Sequence, residues 1–252
     1  MVPDGNRVVV EIIEVLDRSQ QGMTKPFVCR GDDGQTYYVK GIGAGRRSQV
    51  CEWIGGCLAR RFGLPVPEFT VVEVPSELMM LESGVELREL GAGPAFGSQS
   101  EPGLIELKPS TVPRIPETIR RDVLVFDWWV RNMDRTLTSK GGNPNLFWAA
   151  GGQEIVVLDH NQIFDEEFYE KEFFEYHAFT GAASEIRTDL FLPDQYGGKM
   201  ERCLADWDTI VAGIPEEWLF LDEEQMDPAN VNLEQIHTLL RTCENEDFWN
   251  WP

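Results

Sequence analysis

The sequence has no apolar run near the roughly 18 residues needed to cross a bilayer, and its opening, MVPDGNRVVVEIIEV, lacks the basic-then-apolar order of an export signal. These absences predict no membrane association and a cytoplasmic location. The five cysteines, Cys29, Cys51, Cys57, Cys203 and Cys243, are odd in number and scattered, with no CxxC pair. That argues against a disulfide framework, a zinc knuckle or a redox motif, and suits a reducing compartment. Of the three histidines, His160 invites a metal or general-base reading, but no second His or Cys lies at ligand spacing, so it reads as structural, and His177 and His237 carry no signal. No GxSxG element, Walker A sequence or GxGxxG after the first strand is present, which removes the α/β-hydrolase, P-loop and dinucleotide readings. Basic residues are also scarce. Lys and Arg number 22 against 43 Asp and Glu, for a formal net charge of -21. Such a field repels nucleic acid and anionic membranes, so neither is expected as a partner. Residues 161–252 hold 22 of the acids and 5 of the bases; they read as a solvated acidic face or, alternatively, a docking surface for a basic partner.

What is present is an ordinary globular composition, 42% hydrophobic and 26% charged in 252 residues, enough for one large core or two small lobes. Residues 7–16, RVVVEIIEVL, read as a strand, ended by a loop through Gly22 and Pro26. PFVCR and TYYVK bracket GDDG, so a hairpin turning at Asp33-Gly34 is predicted, with Lys40 closing its second strand. From Arg46 to Phe62 the residues Val50, Trp53, Ile54, Cys57 and Leu58 fall at helical spacing, with Ser48 near the N-terminus and Gly63 past the end. LPVPE must be extended, since each proline biases its predecessor away from helix, and FTVVEV at 69–74 reads as a further strand. Residues 90–116 show no sustained period and read as a connector. A helix follows in IPETIRRDVLVFDWWVRNM, striped by Ile119, Val123, Phe126 and Val130 and stopping at Asp134. NLFWAAGGQEIVVLD reads as a second hairpin ending at Asp159, and the remainder as mainly helical and acidic. The eight tryptophans are expected to fill the core and an interface.

Lys40, Asp134 and Asp159 each stand where a strand or helix ends and a side chain can project. Taken singly, each has a plain explanation: a solvated lysine, an aspartate ending a helix with Arg135 as its ion-pair partner, a carboxylate at a hairpin end. NPN alone is a turn signal. Together they are the parts that phosphoryl transfer uses: a cation for nucleotide phosphates, oxygen ligands for magnesium, and a carboxylate near the acceptor hydroxyl.

The run NMDRT, then NPNL, then IVVLDH resembles the catalytic loop and metal-binding segment of HipA-like kinases. DGQTYYVKG resembles that family's strand bearing the nucleotide lysine, and CEWIGGCLARRFGLPVPE its following helix and exit turn. The resemblance spans residues 19–164, and is closer to the small single-unit HipA-like proteins than to the longer toxins. It implies an α+β, two-lobed protein-kinase-like fold: a β-rich nucleotide-binding lobe over 1–108, and a mainly helical catalytic lobe over 109–252 with a catalytic β-hairpin and an acidic tail. It further implies ATP and Mg2+ as cofactors and a serine or threonine hydroxyl on a protein as acceptor, with a small-molecule hydroxyl acceptor or a nucleotide-binding pseudokinase as alternatives. In these terms Lys40 would contact the α and β phosphates and Glu52 would hold it by an ion pair. Asp134 would be the catalytic carboxylate, and Asp159 the principal magnesium ligand with Asn145 or Asn143. The loop from Ser19 through Gly22 to Thr24 would lie over the phosphates, and Ser19 and Thr24 are candidates for autophosphorylation. Two departures stand out: eight residues separate Asp134 from Asn143, more than the family's short spacing, and Asn161-Gln162 follow LDH where a glycine is common.

Overall fold

The computed structural model describes residues 9–19, 24–81, 85–149, 155–222 and 224–252. The fold is mixed α+β, sheet-rich toward the N-terminus and helical toward the C-terminus. The chain divides into two compact units: the first runs to Trp53 and includes Pro67–Glu101 and Ala212–Val231, while the second comprises Ile54–Val66, Pro102–Val211 and Asn232–Pro252.

In the first unit the strands β1 (Val10–Arg18), β2 (Phe27–Gly31), β3 (Thr36–Lys40), β4 (Phe69–Val74) and β5 (Gly93–Gln99) close into a barrel in the order β1-β2-β3-β5-β4. Every pairing is antiparallel except β1 with β4. Alternate residues, Ile12, Phe27, Cys29, Val39, Val72 and Ala95, form its core. The β2–β3 turn falls where the sequence places it: Gly34 has φ +80°, and Gly31 N–H donates to the Gln35 carbonyl at 2.9 Å.

β5 overturns the connector expected over 90–116. GPAFGSQ has poor intrinsic strand propensity, but β3 and β4 pair with it on both sides and impose the extended form. A Cβ added at Gly97 would come within 2.7 Å of Val72 Cγ1, so the missing side chain is what lets the strand lie there. The fully buried Trp218, from the late segment Ala212–Val231, donates its indole N–H to the Pro94 carbonyl at 2.9 Å. A short helix α2 (Ser76–Leu81) follows β4.

The helix α1 (Arg46–Phe62) has its first turns in the first unit and its last in the second. Ser48 does not cap it; the helix starts two residues earlier, after Gly45 at φ +86°, and Ser48 is buried within it. The C-terminus closes as a Schellman motif, with Leu64 N–H on the Ala59 carbonyl (2.9 Å), Gly63 N–H on the Arg60 carbonyl (3.1 Å), and Gly63 at φ +85°.

The second unit is built on α3 (Glu117–Trp129), whose last seven residues, Val123 to Trp129, are all buried. A one-sided stripe understates this helix. It also ends at Trp129, not at Asp134: Arg131 takes φ +51°, and residues 130–145 run as irregular chain. β6 (Ile105–Glu106), β7 (Leu146–Trp148) and β8 (Ile155–Val157) form a second sheet, with Leu146 opposite Val157 as the hairpin reading requires; its turn, residues 150–154, lies outside the described residues. Five helices, α4 (Glu170–Tyr176), α5 (Ala183–Thr188), α6 (Leu192–Leu204), α7 (Trp207–Val211) and α8 (Leu233–Leu240), make up most of the remainder. Seven of the eight tryptophans are buried; Trp128 packs within about 6 Å (ring centroids) of Phe173 and Trp251, and Trp129 donates to the Leu240 carbonyl at 2.8 Å.

Candidate active-site residues

In the first unit β3 alternates, so Val39 faces the barrel core and Lys40 the opposite side. There Lys40, 8% exposed, forms an ion pair with Glu52 of α1, 3% exposed. Two buried charges survive desolvation only when paired and hydrogen-bonded. The neighbouring Gln49 fixes the strand end by donating Nε2 to the Lys40 carbonyl at 2.9 Å. Gly41 must be glycine: a Cβ would stand 1.9 Å from the Leu90 carbonyl oxygen. Thr24 and Lys40 line one small cavity with Arg18 and Gly43. Ser19 is half-buried and its N–H donates to the Pro26 carbonyl at 2.9 Å. Gly22 and the rest of 20–23 lie outside the described residues.

In the second unit the irregular chain after α3 gathers the other candidates. Asp134 is half-buried, and its Oδ2 accepts from Asn143 Nδ2 at 2.8 Å and from Asn145 Nδ2 at 2.9 Å. The Asp134 amide in turn donates to Asn132 Oδ1 at 3.1 Å. The eight-residue separation closes because Thr136–Gly142 folds back on itself: Thr136 N–H meets the Asn143 carbonyl at 3.1 Å, and Thr138 pairs with Gly141. A Cβ at Gly142 would lie 2.4 Å from the Thr136 carbonyl oxygen. Asn145 and Asp159 both adopt left-handed backbone, φ +49° and +58°. Such geometry costs on the order of 1–3 kcal/mol for non-glycine residues, least for Asn and Asp, and persists only where surroundings impose it. Asn161 N–H donates to Asp159 Oδ1 at 3.3 Å.

The sequence reading missed the group beneath this loop. Arg135 is not the partner of Asp134; it is fully buried and its Nε donates to Asp127 Oδ2 at 2.6 Å, where Asp127 is equally enclosed. Asn132 Nδ2 donates to Asp127 Oδ1 at 2.8 Å, and His177 Nε2 lies 3.0 Å from Asp127 Oδ2. Because His177 Nδ1 accepts from the Phe179 amide at 3.1 Å, the ring proton sits on Nε2 and points at the carboxylate. Burial alone would raise the Asp127 pKa, but the Arg135 charge and the His177 and Asn132 hydrogen bonds outweigh it and hold the carboxyl below its ordinary range. Burial lowers the His177 pKa against the opposing pull of Asp127, so the imidazole is neutral. The signal was legible as an aspartate inside an otherwise apolar stretch, VLVFDWWV.

These residues suit magnesium in kind. Among the described residues no three His, Cys, Asp or Glu side chains cluster as a metal cage, but magnesium needs only one or two carboxylates with oxygen donors and keeps several waters. Asp159 supplies a carboxylate. Asn143 and Asn145 turn their NH2 groups to Asp134, which leaves each amide oxygen, the hard donor, facing away from it. Beside this loop a cavity of about 160 Å3 is lined by Met133, Thr136, Glu172, Phe173, Tyr176 and His177. It is smaller than the roughly 300 Å3 at which small-molecule sites begin, so it suits a side chain and not a nucleotide.

The HipA-like kinase family profile matches residues 12–252. None of the curated proteins matches the chain. Among solved structures it is similar to a Helicobacter pylori proinflammatory kinase, CtkA, at 11% identity and a TM-score of 0.49, over 94% of this chain and 95% of that one. With the family profile running from Ile12 to the last residue, the chain belongs to the HipA-like kinase family.

Proposed function

We propose that this protein is an ATP- and Mg2+-dependent phosphotransferase of two-lobed kinase type, moving the γ-phosphoryl group to a serine or threonine hydroxyl of a protein. The observation that carries the reading is the Asp134 carboxylate. Two amides hold its Oδ2, so one oxygen is fixed and the other, Oδ1, remains to accept a hydrogen bond from an acceptor hydroxyl. Bound magnesium would neutralise charge on the phosphates.

The chain's own groups take these parts. Lys40, fixed by Glu52, offers its ammonium to the α and β phosphates; Thr24, on the same cavity, and Ser19 border the loop assigned to the phosphates. Asp159 and Asn145 bind the metal. Asn145 is preferred to Asn143 because it is half-buried and its carbonyl accepts from Leu158 N–H at 3.0 Å, next to Asp159, whereas Asn143 is exposed. Asp134 orients the hydroxyl and takes its proton as transfer proceeds. The side-chain-sized cavity lined by Met133 and Thr136, which bracket Asp134 in the sequence, fits a residue of a protein acceptor, which favours that class over a small molecule.

The test is incubation of purified protein with Mg2+ and γ-labelled ATP in a cell extract, alongside thermal unfolding with and without nucleotide. Label transfer to serine or threonine supports the proposal. Stabilisation by ATP without transfer supports the pseudokinase alternative, which Asn161 in place of a glycine favours.

A further inference from the structure

Arg135 is fully buried, and its guanidinium serves two sides at once. Nε is committed to Asp127. Nη1 donates to three backbone carbonyls: Pro144 at 3.2 Å, Asn145 at 2.9 Å and Leu158 at 3.2 Å. One of these is the carbonyl of Asn145 itself, and another belongs to the residue before Asp159. Both residues sit in left-handed backbone that something must hold. Arg135 also follows Asp134 directly, and Asp127 reaches the Asp134 amide through Asn132. A single buried ion pair thus touches the backbone at or beside every group assigned to the reaction in this unit.

We infer that Arg135 is a positioning residue, whose guanidinium fork sets the distance between the Asn145 and Asp159 segments and thereby the affinity for magnesium with nucleotide. The inference rests on the metal roles proposed above. The chemistry requires arginine and not merely a positive charge. A lysine ammonium could neutralise Asp127, but one nitrogen cannot occupy both the Nε and the Nη1 positions, so the bonds to Asn145 and Leu158 would be lost. A purely structural Arg135 would behave differently: removing it would lower stability and leave the magnesium dependence of the remaining folded protein unchanged.

The experiment compares wild type with Arg135→Lys, using a fluorescent ATP analogue titrated with Mg2+, together with thermal unfolding free of metal and nucleotide. Partners behind metal ligands typically contribute about 10–100-fold in metal affinity. Arg135→Lys is therefore expected to fold, to bind the analogue without Mg2+ as wild type does, and to need at least about tenfold more Mg2+ for half-saturation. An unchanged Mg2+ requirement in folded Arg135→Lys overturns the inference and leaves the proposed function standing. Absence of Mg2+-dependent binding in wild type overturns both. If Arg135→Lys does not fold, wild type decides: the Arg135 Nε–H resonance, followed by 15N NMR, is expected to shift when Mg2+ and the non-hydrolysable analogue are added together but not with either alone. No shift contradicts the inference.

Discussion

Asp127 and Arg135 meet at 2.6 Å with no side-chain surface exposed on either. Removing one partner strands the other's charge in the interior. Asp127→Ala is expected to lower unfolding free energy by about 3–5 kcal/mol, read from urea denaturation. The paired replacement Asp127→Leu with Arg135→Met should cost much less. A single variant no less stable than the double would show that the pair is not held as described.

The same cluster gives stability a direction in pH. The folded-state pKa of His177 is lowered, so below about pH 6.5 the unfolded chain takes up a proton that the folded chain refuses, and stability falls with pH. Asp127, also lowered, adds a second loss below about pH 3.8 as its carboxylate is forced to protonate. Between about pH 6.5 and 5.5 wild type is expected to lose stability through His177, and His177→Gln to lack that component. Parallel pH profiles for the two proteins would refute the assignment.

Lys40→Met should retain its fold by circular dichroism while turnover drops by roughly 100-fold or more, the usual scale for losing one preorganised donor to the reacting charge. Unaltered turnover would leave Lys40 a structural partner of Glu52.

Burial pushes the thiols of Cys29, Cys51 and Cys243 up to about 12, and that of Cys203 to about 11. Thiols so protonated are poor nucleophiles. Iodoacetamide at pH 8 should therefore spare these four in native protein, with only the half-buried Cys57 open to modification, and label all five in denaturant. Fast native labelling of Cys29 would contradict the closed barrel around it.

Where local chemistry decides structure, the sequence was legible. The Asp33-Gly34 turn, the limits of α1 and the β7–β8 pairing follow from turn residues, helical spacing and alternation; Lys40, Asp134 and Asp159 stood out at the ends of elements, while Glu52 and the pair Asn145 or Asn143 came from the family resemblance. Strand β5 was not legible, because neighbours on both sides and the room left by Gly97 make it a strand in spite of its proline and two glycines. The Asp127–Arg135–His177 cluster escaped for a related reason. Its members come from an apolar helix, a loop and the end of α4, and no spacing announces that they meet.

The central claim is a division of labour between two carboxylates: Asp159 on the metal, Asp134 on the acceptor. Calorimetric titration of Asp159→Asn and Asp134→Asn with ATP in the presence of Mg2+, beside their turnover, tests it most directly. The account predicts that Asp159→Asn loses Mg2+-dependent binding, while Asp134→Asn binds as wild type does and does not turn over. Equal loss of binding in both variants would contradict it.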